Sequence, residues 1–318
     1  MSAGSAQPLH VLATFPAAML ARVSEEIPDT TIEQVPYDGA PPQGTRGDVL
    51  LIPPWDPGNL DQLLSCGVRW LHTIGTGVDR LPLEKLQDIT LTCSRGASAV
   101  PISEWILAAM LAFEKKLVEM WLAEPPQDEG LPVLGGLSGK TLGLVGLGAI
   151  GATTAAHALR FGMEVVAHRR TGRPSAVDGV EVVSELEDVL ARADHVVLAL
   201  PLTPASRHVI NEASLAAIPE GAGIHLVNIA RGGLVDQEAL RPALDDGRIA
   251  CATLDVTDPE PPPAGHWLYT HPKVRVSAHV SWSAPDAFEL LIDTFIENLR
   301  RHRDGRELNG IVDLKEGY

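Results

Sequence analysis

The chain has 318 residues, of which 45% are hydrophobic and 21% are charged, and its formal net charge is −16 at pH 7. The length exceeds that of one ordinary core and predicts two domains, and the composition is typical of a globular protein rather than a disordered one. The acidic balance argues against a nucleic-acid partner, because binding to a phosphate backbone depends on clustered Lys and Arg.

The cysteine usage bears on the compartment and on metal binding. Cys66, Cys93 and Cys251 lie far apart and form no CxxC pair, which is typical of a reducing compartment and argues against a metal site. The segment MSAGSAQPLHVLATF has no basic stretch or long apolar run, and no later stretch approaches about 18 uninterrupted apolar residues. We therefore expect a cytoplasmic protein without a signal peptide, a metal or a membrane partner.

Short apolar runs alternate with helical patterns along almost the whole chain. The predicted strands are LHVLATF, TIEQV, DVLLIP, RWLHTIG, ITLTCS, TLGLVGLG, MEVVAH, HVVLALP, GIHLVNIA, CATLDV and VRVSAHV. The predicted helices cover residues 16–27, a segment near 60, and residues 102–123, 149–161, 236–246 and 284–301. Strands that are apolar on both faces and separated by helices indicate parallel sheets covered on each side, so the predicted fold class is α/β.

A glycine-rich loop, Gly146-Leu-Gly148-Ala-Ile-Gly151, directly follows an apolar strand and opens a helix. In this GxGxxG pattern the first glycine permits a tight turn, the second lets the backbone approach a pyrophosphate, and the third lets helix and strand pack closely. The free N–H groups and the dipole of the helix N-terminus then hold the phosphates. A bare GxGxxG also occurs as a turn without a ligand, but the strand–loop–helix–strand context predicts a dinucleotide site.

The strand MEVVAH ends where the adenosine ribose of such a cofactor lies, and an NAD site commonly carries an acid there. This chain has His168, Arg169 and Arg170 at that place, followed by Arg173. Arginine forks onto phosphate oxygens, so these cations suit the 2′-phosphate of NADP(H). The other interpretation is a solvated basic turn. We expect NADP(H) to be preferred, with NAD(H) as the alternative cofactor.

Three more segments follow predicted strands and carry polar side chains that can do chemistry. They are NIARGGLVD with Arg231, LDVTDPEPPP with Glu260, and VSAHVSW with His279. Open parallel sheets bind their ligands at the carboxyl ends of the strands, so these side chains are candidates for one site. Taken singly, such an arginine is more often in a surface ion pair, such an acid is more often simply an exposed loop residue, and such a histidine is more often structural.

These segments occur in order with GTGVD at 75–79, VPISE at 100–104 and LPLTP at 200–204. Over nearly its whole length the sequence resembles the D-isomer-specific 2-hydroxyacid dehydrogenases, which include phosphoglycerate, hydroxypyruvate/glyoxylate and phosphite dehydrogenases. The resemblance implies two doubly wound parallel-sheet domains. A Rossmann cofactor domain over residues 102–282 is expected to be inserted into a flavodoxin-like substrate domain formed by 1–101 and 283–318. It also implies a homodimer assembled through the cofactor domain.

The resemblance implies hydride transfer between a nicotinamide cofactor and a small 2-oxo acid or D-2-hydroxy acid. His279 would be the acid/base, a role that imidazole can take near neutral pH. Glu260 would hydrogen-bond the other ring nitrogen and stabilise the imidazolium, and Arg231 would bind the carboxylate and polarise the carbonyl.

Further contacts are implied in the same way. The cofactor-binding set is Gly146, Gly148, Ala149, Ile150, Gly151, His168, Arg169, Arg170, Pro201, Ser206, Ile229, Ala230, Asp255 and Trp282, with Asp255 orienting the nicotinamide amide. The substrate-binding set is Trp55, Thr76, Gly77 and Ile102, in which the backbone amides of Thr76 and Gly77 complete the carboxylate site. For Trp55 and Trp282, packing in the core is an equal alternative.

Two other functions stay open at this point. The C-terminal-binding-protein corepressors resemble the same family and keep the three polar residues, so an NAD(P)-sensing interaction module is one alternative, although the chain has no basic DNA-directed segment. The other is a related dehydrogenase acting on another small anion, such as formate or phosphite. Formate dehydrogenases of this type pair the histidine with glutamine, so Glu260 disfavours that reaction.

Overall fold

The computed structural model describes residues 8–117, 120, 121, 124 and 132–318. The chain divides into two compact units. The first unit combines the chain up to Ser98 with the segment Pro285–Tyr318, and the second unit is Ala99–Ala284. The chain thus leaves the first unit, builds the second and then completes the first.

Helices and strands alternate along both units. The strands are β1 (Leu9–Ala13), β2 (Thr30–Gln34), β3 (Val49–Ile52), β4 (Trp70–Thr73), β5 (Thr90–Cys93), β6 (Thr141–Val145), β7 (Glu164–His168), β8 (Val180–Val183), β9 (His195–Leu198), β10 (Ile224–Asn228), β11 (Ile249–Leu254) and β12 (Val274–Val276). The α-helices are α1 (Ala21–Glu26), α2 (Leu60–Leu64), α3 (Ala99–Lys115), α4 (Ala149–Arg160), α5 (Leu186–Leu190), α6 (Glu212–Leu215), α7 (Gln237–Asp245) and α8 (Ala287–Arg303). Short 3-10 helices cover Ala17–Leu20, Leu83–Leu86, Gly232–Leu234 and Trp267–Tyr269.

The first unit is built on a five-stranded parallel sheet in the order β2-β1-β3-β4-β5. This order is that of the flavodoxin-like doubly wound folds. Leucines of α2 cover one face of the sheet, and α1 and α8 cover the other, where Phe295 and Leu299 are fully buried. Because both faces are covered, the central strands β3 and β4 are buried along their whole length.

The second unit is built on a seven-stranded parallel sheet in the order β12-β11-β10-β9-β6-β7-β8. Counted within the unit from β6, and read from the β8 edge, the order is 3-2-1-4-5-6-7, which contains the order of the dinucleotide-binding folds. Helices α3 and α4 cover one face, and α5, α6 and α7 cover the other. The prediction of two doubly wound parallel-sheet domains is confirmed.

Six strands of the second sheet have residues in register along one transverse row near their carboxyl ends. From β7 to β12 in sheet order, the row consists of His168, Val145, Leu198, Asn228, Leu254 and Val276. A segment with predicted site residues follows each of these six residues directly along the chain. The topology therefore gathers segments that are more than a hundred residues apart in sequence at one edge of one sheet.

Several predicted elements differ from the observed ones. The helix predicted over 102–123 is wrong at its start, because α3 begins at Ala99, and at its end, because α3 stops at Lys115. Residues 118, 119, 122 and 123 of the predicted helix lie outside the described residues. Strand β8 and the helices α5 and α6 were not predicted. They are only four or five residues long, too short to show a hydrophobic period. Within the described ranges, no helix combines the length and apolar character that a bilayer span requires.

Three histidines lie inside the two sheets. His72 on β4 is fully buried, and burial lowers its pKa to about 3. Burial also lowers the pKa of His195 on β9 to about 4, although the nearby Glu114 carboxylate opposes that shift. The pKa of His225 on β10 is lowered well below its ordinary value, again mainly by burial. These side chains are therefore neutral in the folded protein at physiological pH.

We expect the stability to fall as the pH is lowered from 6.5 to 5. In this window the unfolded chain protonates these histidines, whereas the folded values near 3 and 4 for His72 and His195 keep them neutral. The unfolded state then binds more protons, and the slope that each histidine contributes approaches about 1.4 kcal/mol per pH unit well below pH 6.5. Urea denaturation at pH 7, 6 and 5.5 measures this slope, and His72→Gln should remove one histidine's share. A free energy of unfolding that is constant or rises on acidification contradicts the expectation.

Candidate active site

The loop between β6 and α4 takes its shape from three glycines. Gly146 has a φ of +102°, and a Cβ at this position would lie 2.4 Å from the carbonyl oxygen of Ala199. A Cβ on Gly151 would lie 2.4 Å from the carbonyl oxygen of Gly146, so the helix packs directly on the turn. A Cβ on Gly148 would meet nothing within 4 Å, so the space beside this residue is open. Glycine is thus required at Gly146 and Gly151 by close contacts, and at Gly148 it leaves room beside the backbone.

Helix α4 begins directly after this open position. Its N-cap is Gly148, which has no side chain, and no side-chain hydrogen bond caps the helix. The first-turn N–H groups, including those of Ala149 and Ile150, have no acceptor within the helix and lie at the positive end of its dipole. The open space and the uncapped helix end together offer N–H donors and a positive dipole end to an anionic group.

The basic turn follows β7, the strand beside β6. His168 and Arg169 are half-buried and Arg170 is exposed. The turn is closed by a hydrogen bond from the Gly172 N–H to the Arg169 carbonyl at 3.1 Å. Nδ1 of His168 is buried and has no hydrogen-bond partner among the described residues. The cationic residues therefore lie at the end of the strand that neighbours the glycine-rich loop.

The loop after β9 is held by its own hydroxyl groups. Ser206 donates from Oγ to the Pro201 carbonyl at 2.7 Å and accepts from the Thr203 N–H at 2.8 Å. Pro201 is exposed at the edge of the sheet. The predicted cofactor residue Ser206 thus fixes the backbone of this loop.

Arg231 lies on a turn that the last residue of β10 organises. Asn228 is fully buried; its Oδ1 accepts from the Ala230 N–H at 3.1 Å, and its Nδ2 donates to the Arg231 carbonyl at 2.8 Å. Arg231 is half-buried, and its Nη1 donates to the Ala230 carbonyl at 2.7 Å. Ile229 points into the core. The sequence analysis assigned no role to Asn228. The signal that could have identified it is an asparagine at the end of an otherwise apolar strand.

Asp255 follows β11 and is only 1% exposed. Its Oδ1 accepts from the Ser277 hydroxyl at 2.6 Å and from the Val280 N–H at 2.9 Å, and its Oδ2 accepts from the Ser281 N–H at 2.9 Å. Its carbonyl oxygen accepts from the His279 N–H at 2.9 Å. Asp255 therefore fixes the turn that carries His279.

His279 and Glu260 are hydrogen-bonded to each other. The distance from His279 Nδ1 to Glu260 Oε1 is 2.7 Å, and the two side chains are 37% and 24% exposed. His279 has a φ of +54°, a left-handed conformation that is uncommon outside glycine and that the Asp255 contacts hold in place. Trp282 Nε1 donates to the His279 carbonyl at 3.0 Å. The contact with Glu260 uses Nδ1, and the other ring nitrogen, Nε2, has no hydrogen-bond partner among the described residues.

The loop that carries Glu260 packs against the turn of Arg231. A Cβ on Gly232 would lie 1.9 Å from the Thr257 carbonyl carbon, so only glycine permits this contact. Within the loop, Thr257 Oγ1 donates to the Pro259 carbonyl at 2.9 Å. From α7, Gln237 Nε2 donates to the Asp258 carbonyl of the loop. The glycine after the arginine thus lets the Arg231 turn and the Glu260 loop lie side by side.

The predicted substrate residues are divided between the two units. In the first unit, Trp55 follows β3, and Thr76 and Gly77 follow β4. Trp55 is 45% exposed and Trp282 is 41% exposed, so core packing is the wrong interpretation for both. Ile102 is only 7% exposed and packs in the core of the second unit, where burial favours a structural role over substrate contact.

Residues 107–281 match the NAD binding domain of the D-isomer specific 2-hydroxyacid dehydrogenases. The chain belongs to this family. A glycerate dehydrogenase of Methylorubrum extorquens is 30% identical over 278 residues, which are 84% of this chain and 85% of that protein. A D-3-phosphoglycerate dehydrogenase of Methanocaldococcus jannaschii is 30% identical over 246 residues, which are 76% of this chain and 46% of that protein. The chain thus spans about half the length of this second relative.

A solved structure shows the same fold in the family. The D-isomer specific 2-hydroxyacid dehydrogenase of Xanthobacter autotrophicus Py2, in complex with NADPH and MES, is 27% identical and superposes with a TM-score of 0.82. The match covers 98% of this chain and all of that one. The resemblance to the family that the sequence indicated is confirmed.

The second unit, which contains the match to the family's NAD binding domain, has features that suit a dinucleotide. The open space at Gly148 and the uncapped N-terminus of α4 fit a pyrophosphate, and the strand order around them is that of the dinucleotide-binding folds. Among the described residues, no group of three or more His, Cys, Asp or Glu side chains is arranged to hold a metal ion.

Proposed function

We propose that the chain is an NADPH-preferring reductase that converts small 2-oxo acids into D-2-hydroxy acids. The observation that carries the proposal is the 2.7 Å contact between His279 and Glu260 on the sheet edge that also holds the glycine-rich loop. In this proposal the second unit binds the cofactor and the first unit binds substrate. A homodimer in the cytoplasm belongs to the same proposal, on the basis of the family resemblance and the cysteine usage.

When bound, the nicotinamide cofactor supplies the hydride that reduces the carbonyl carbon. His279 donates the proton from Nε2 to the carbonyl oxygen as negative charge develops there. Glu260 accepts from Nδ1, which fixes the ring orientation and stabilises the imidazolium before the proton is donated. In the reverse direction the same nitrogen accepts the proton of the hydroxyl group.

Arg231 is the proposed carboxylate and carbonyl ligand. Its backbone is fixed by Asn228, so the guanidinium starts from a defined position at the sheet edge. A guanidinium can bind a carboxylate through two parallel hydrogen bonds and can stabilise the charge that develops on the carbonyl oxygen. The backbone amides of Thr76 and Gly77 are the proposed further carboxylate donors, and Trp55 is the proposed side wall for the substrate.

Relatives support a short substrate. The proteins similar to this chain include a glycerate dehydrogenase and a hydroxypyruvate reductase of Thermotoga maritima, which is 35% identical over 192 residues, 59% of this chain and 61% of that protein. We propose glyoxylate or hydroxypyruvate as the first substrates to test.

The catalytic assignment predicts the effect of removing the proton donor. His279→Ala should lower kcat with glyoxylate or hydroxypyruvate by roughly two to four orders of magnitude and leave NADPH binding intact. Arg231→Ala should raise KM, because a carboxylate ligand is lost. It should also lower kcat, because the carbonyl oxygen that Arg231 contacts becomes negatively charged in the transition state.

Steady-state kinetics and NADPH fluorescence titration measure the two effects. His10→Ala, on the first strand, is the control and should retain wild-type kinetics. Near-normal turnover by His279→Ala would refute the mechanism. A wild-type protein that binds NADPH but reduces no member of a 2-oxo acid panel would favour the nucleotide-sensing alternative.

The cofactor assignment is tested by reversing the charge after β7. Arg169→Asp combined with Arg170→Ala should lower the ratio of kcat/KM for NADPH to that for NADH by about 10- to 100-fold, because charge-assisted contacts to the 2′-phosphate are lost. Arg192→Ala is the matched control, since Arg192 lies in the same unit but is paired with Glu181 at 2.6 Å. A wild type that prefers NADH, or a double variant with an unchanged ratio, would show that these arginines are surface charges.

A further inference from the structure

A chain of buried hydrogen bonds crosses the first unit from β4 to β5 and on to α8. Trp70 Nε1 donates to Thr92 Oγ1 at 2.8 Å, and the same oxygen lies 2.8 Å from His72 Nδ1. His72 Nε2 lies 3.2 Å from Ser94 Oγ, which donates to the Leu291 carbonyl at 3.2 Å. The four side chains that start and link this chain are buried. None of them belongs to the predicted site.

The number of protons on each group determines which group donates at each step of this series of hydrogen bonds. An indole N–H can only donate, so Thr92 Oγ1 is an acceptor toward Trp70 and has its single proton left for His72 Nδ1. Because burial lowers the pKa of His72 to about 3, the ring is neutral and carries its proton on Nε2. Nε2 then donates to Ser94, whose own proton goes to the Leu291 carbonyl. In this direction every buried donor has an acceptor.

Ser94 connects this buried chain to the loop after β4. Its N–H donates to the Gly75 carbonyl at 2.8 Å, and its carbonyl oxygen lies 3.5 Å from Thr76 Oγ1. On the other side of the loop, a Cβ on Gly75, whose φ is +132°, would lie 3.1 Å from Pro54. The loop is thus confined between Pro54 and the backbone of Ser94.

The side chain of Ser94 is in turn held from three directions. His72 and the Leu291 carbonyl are two of its partners. The third is the Thr294 hydroxyl, which shares its single proton between Ser94 Oγ at 2.8 Å and the Leu291 carbonyl at 2.7 Å. Leu291 and Thr294 are both on α8, the helix with which the chain completes the first unit. The position of the loop backbone therefore depends on a hydroxyl group fixed to β4 and to α8.

We propose that Ser94 is a positioning residue for the substrate carboxylate. Its hydroxyl fixes the Ser94 backbone, whose N–H donates to the Gly75 carbonyl and whose carbonyl oxygen lies 3.5 Å from Thr76 Oγ1. The loop whose Thr76 and Gly77 amides are the proposed carboxylate donors is thereby held in position, and this inference rests on the proposed function. Loss of the hydroxyl leaves His72 Nε2–H buried without an acceptor and frees the Ser94 backbone from α8. Binding of the carboxylate then weakens, while proton donation by His279, a residue of the second unit, is unchanged.

The test is Ser94→Ala with glyoxylate as the variable substrate. We expect KM for glyoxylate to rise about five- to tenfold, which corresponds to the loss of one hydrogen bond, while kcat and KM for NADPH stay within about twofold. The inhibition constant of oxalate, a carboxylate probe that is not reduced, should rise by the same factor. Ser94→Cys keeps the side-chain size with a weaker donor and should give an intermediate KM, which also covers the case that Ser94→Ala fails to fold.

Ser103→Ala is the matched control. Ser103 is buried in the second unit and its Oγ lies 2.9 Å from His157 Nδ1, so this variant also removes a buried serine hydroxyl from a histidine. We expect a comparable loss of thermal stability without a change in KM for glyoxylate. An equal rise in KM in both serine variants, or an unchanged oxalate constant in the Ser94 variants, would overturn the inference. Absence of 2-oxo acid turnover in the wild type would instead overturn the proposed function.

Discussion

The register of the parallel sheet in the second unit is the constraint on which the candidate site depends. Six strands share one transverse row, and the glycine-rich loop, the basic turn and the segments of Arg231, Glu260 and His279 all start within a few residues of it. Parallel strands bring their carboxyl ends to the same edge, so the apolar pattern of each strand also fixes where its loop begins. A slip of one residue in any strand would turn its buried side chains to the other face.

Buried polar side chains at the ends of these strands hold the turns that carry the candidate functional groups. Asn228 lies in the row and Asp255 lies next to it. The side chain of each forms hydrogen bonds to the backbone of a turn later in the chain. Asp255 holds His279 in a left-handed conformation, and Asn228 holds the turn of Arg231. Leaving such groups unpaired in the core would be costly, so folding of the sheet and preorganisation of the site are coupled. In the first unit, Ser94 and His72 stand in a similar relation to the loop of Thr76.

The sequence analysis was most accurate where a single local requirement, such as burial of a strand or a tight turn, dictates the residue type. The long apolar strands predicted both parallel sheets, and the three glycines of the GxGxxG loop predicted a turn whose geometry the structure shows in detail. It was weakest for β8, whose four residues show no clear period, and for Ile102, whose burial depends on how α3 packs. The anchoring role of Asp255 could not be read from sequence, because it arises from contacts with the segment that follows the adjacent strand β12. The proposed roles of His279, Glu260 and Arg231 stay predictions.

The measurement that tests the central claim most directly is the pH dependence of kcat/KM for 2-oxo acid reduction in the wild type and in Glu260→Gln. In the proposed mechanism, reduction requires a protonated His279, which the carboxylate 2.7 Å from Nδ1 stabilises, whereas a glutamine of the same size lacks the charge. The account predicts that the falling limb of the profile moves to lower pH in Glu260→Gln. A falling limb that stays in place, with or without a loss of rate, would contradict the role of this pair as the acid/base of the reaction.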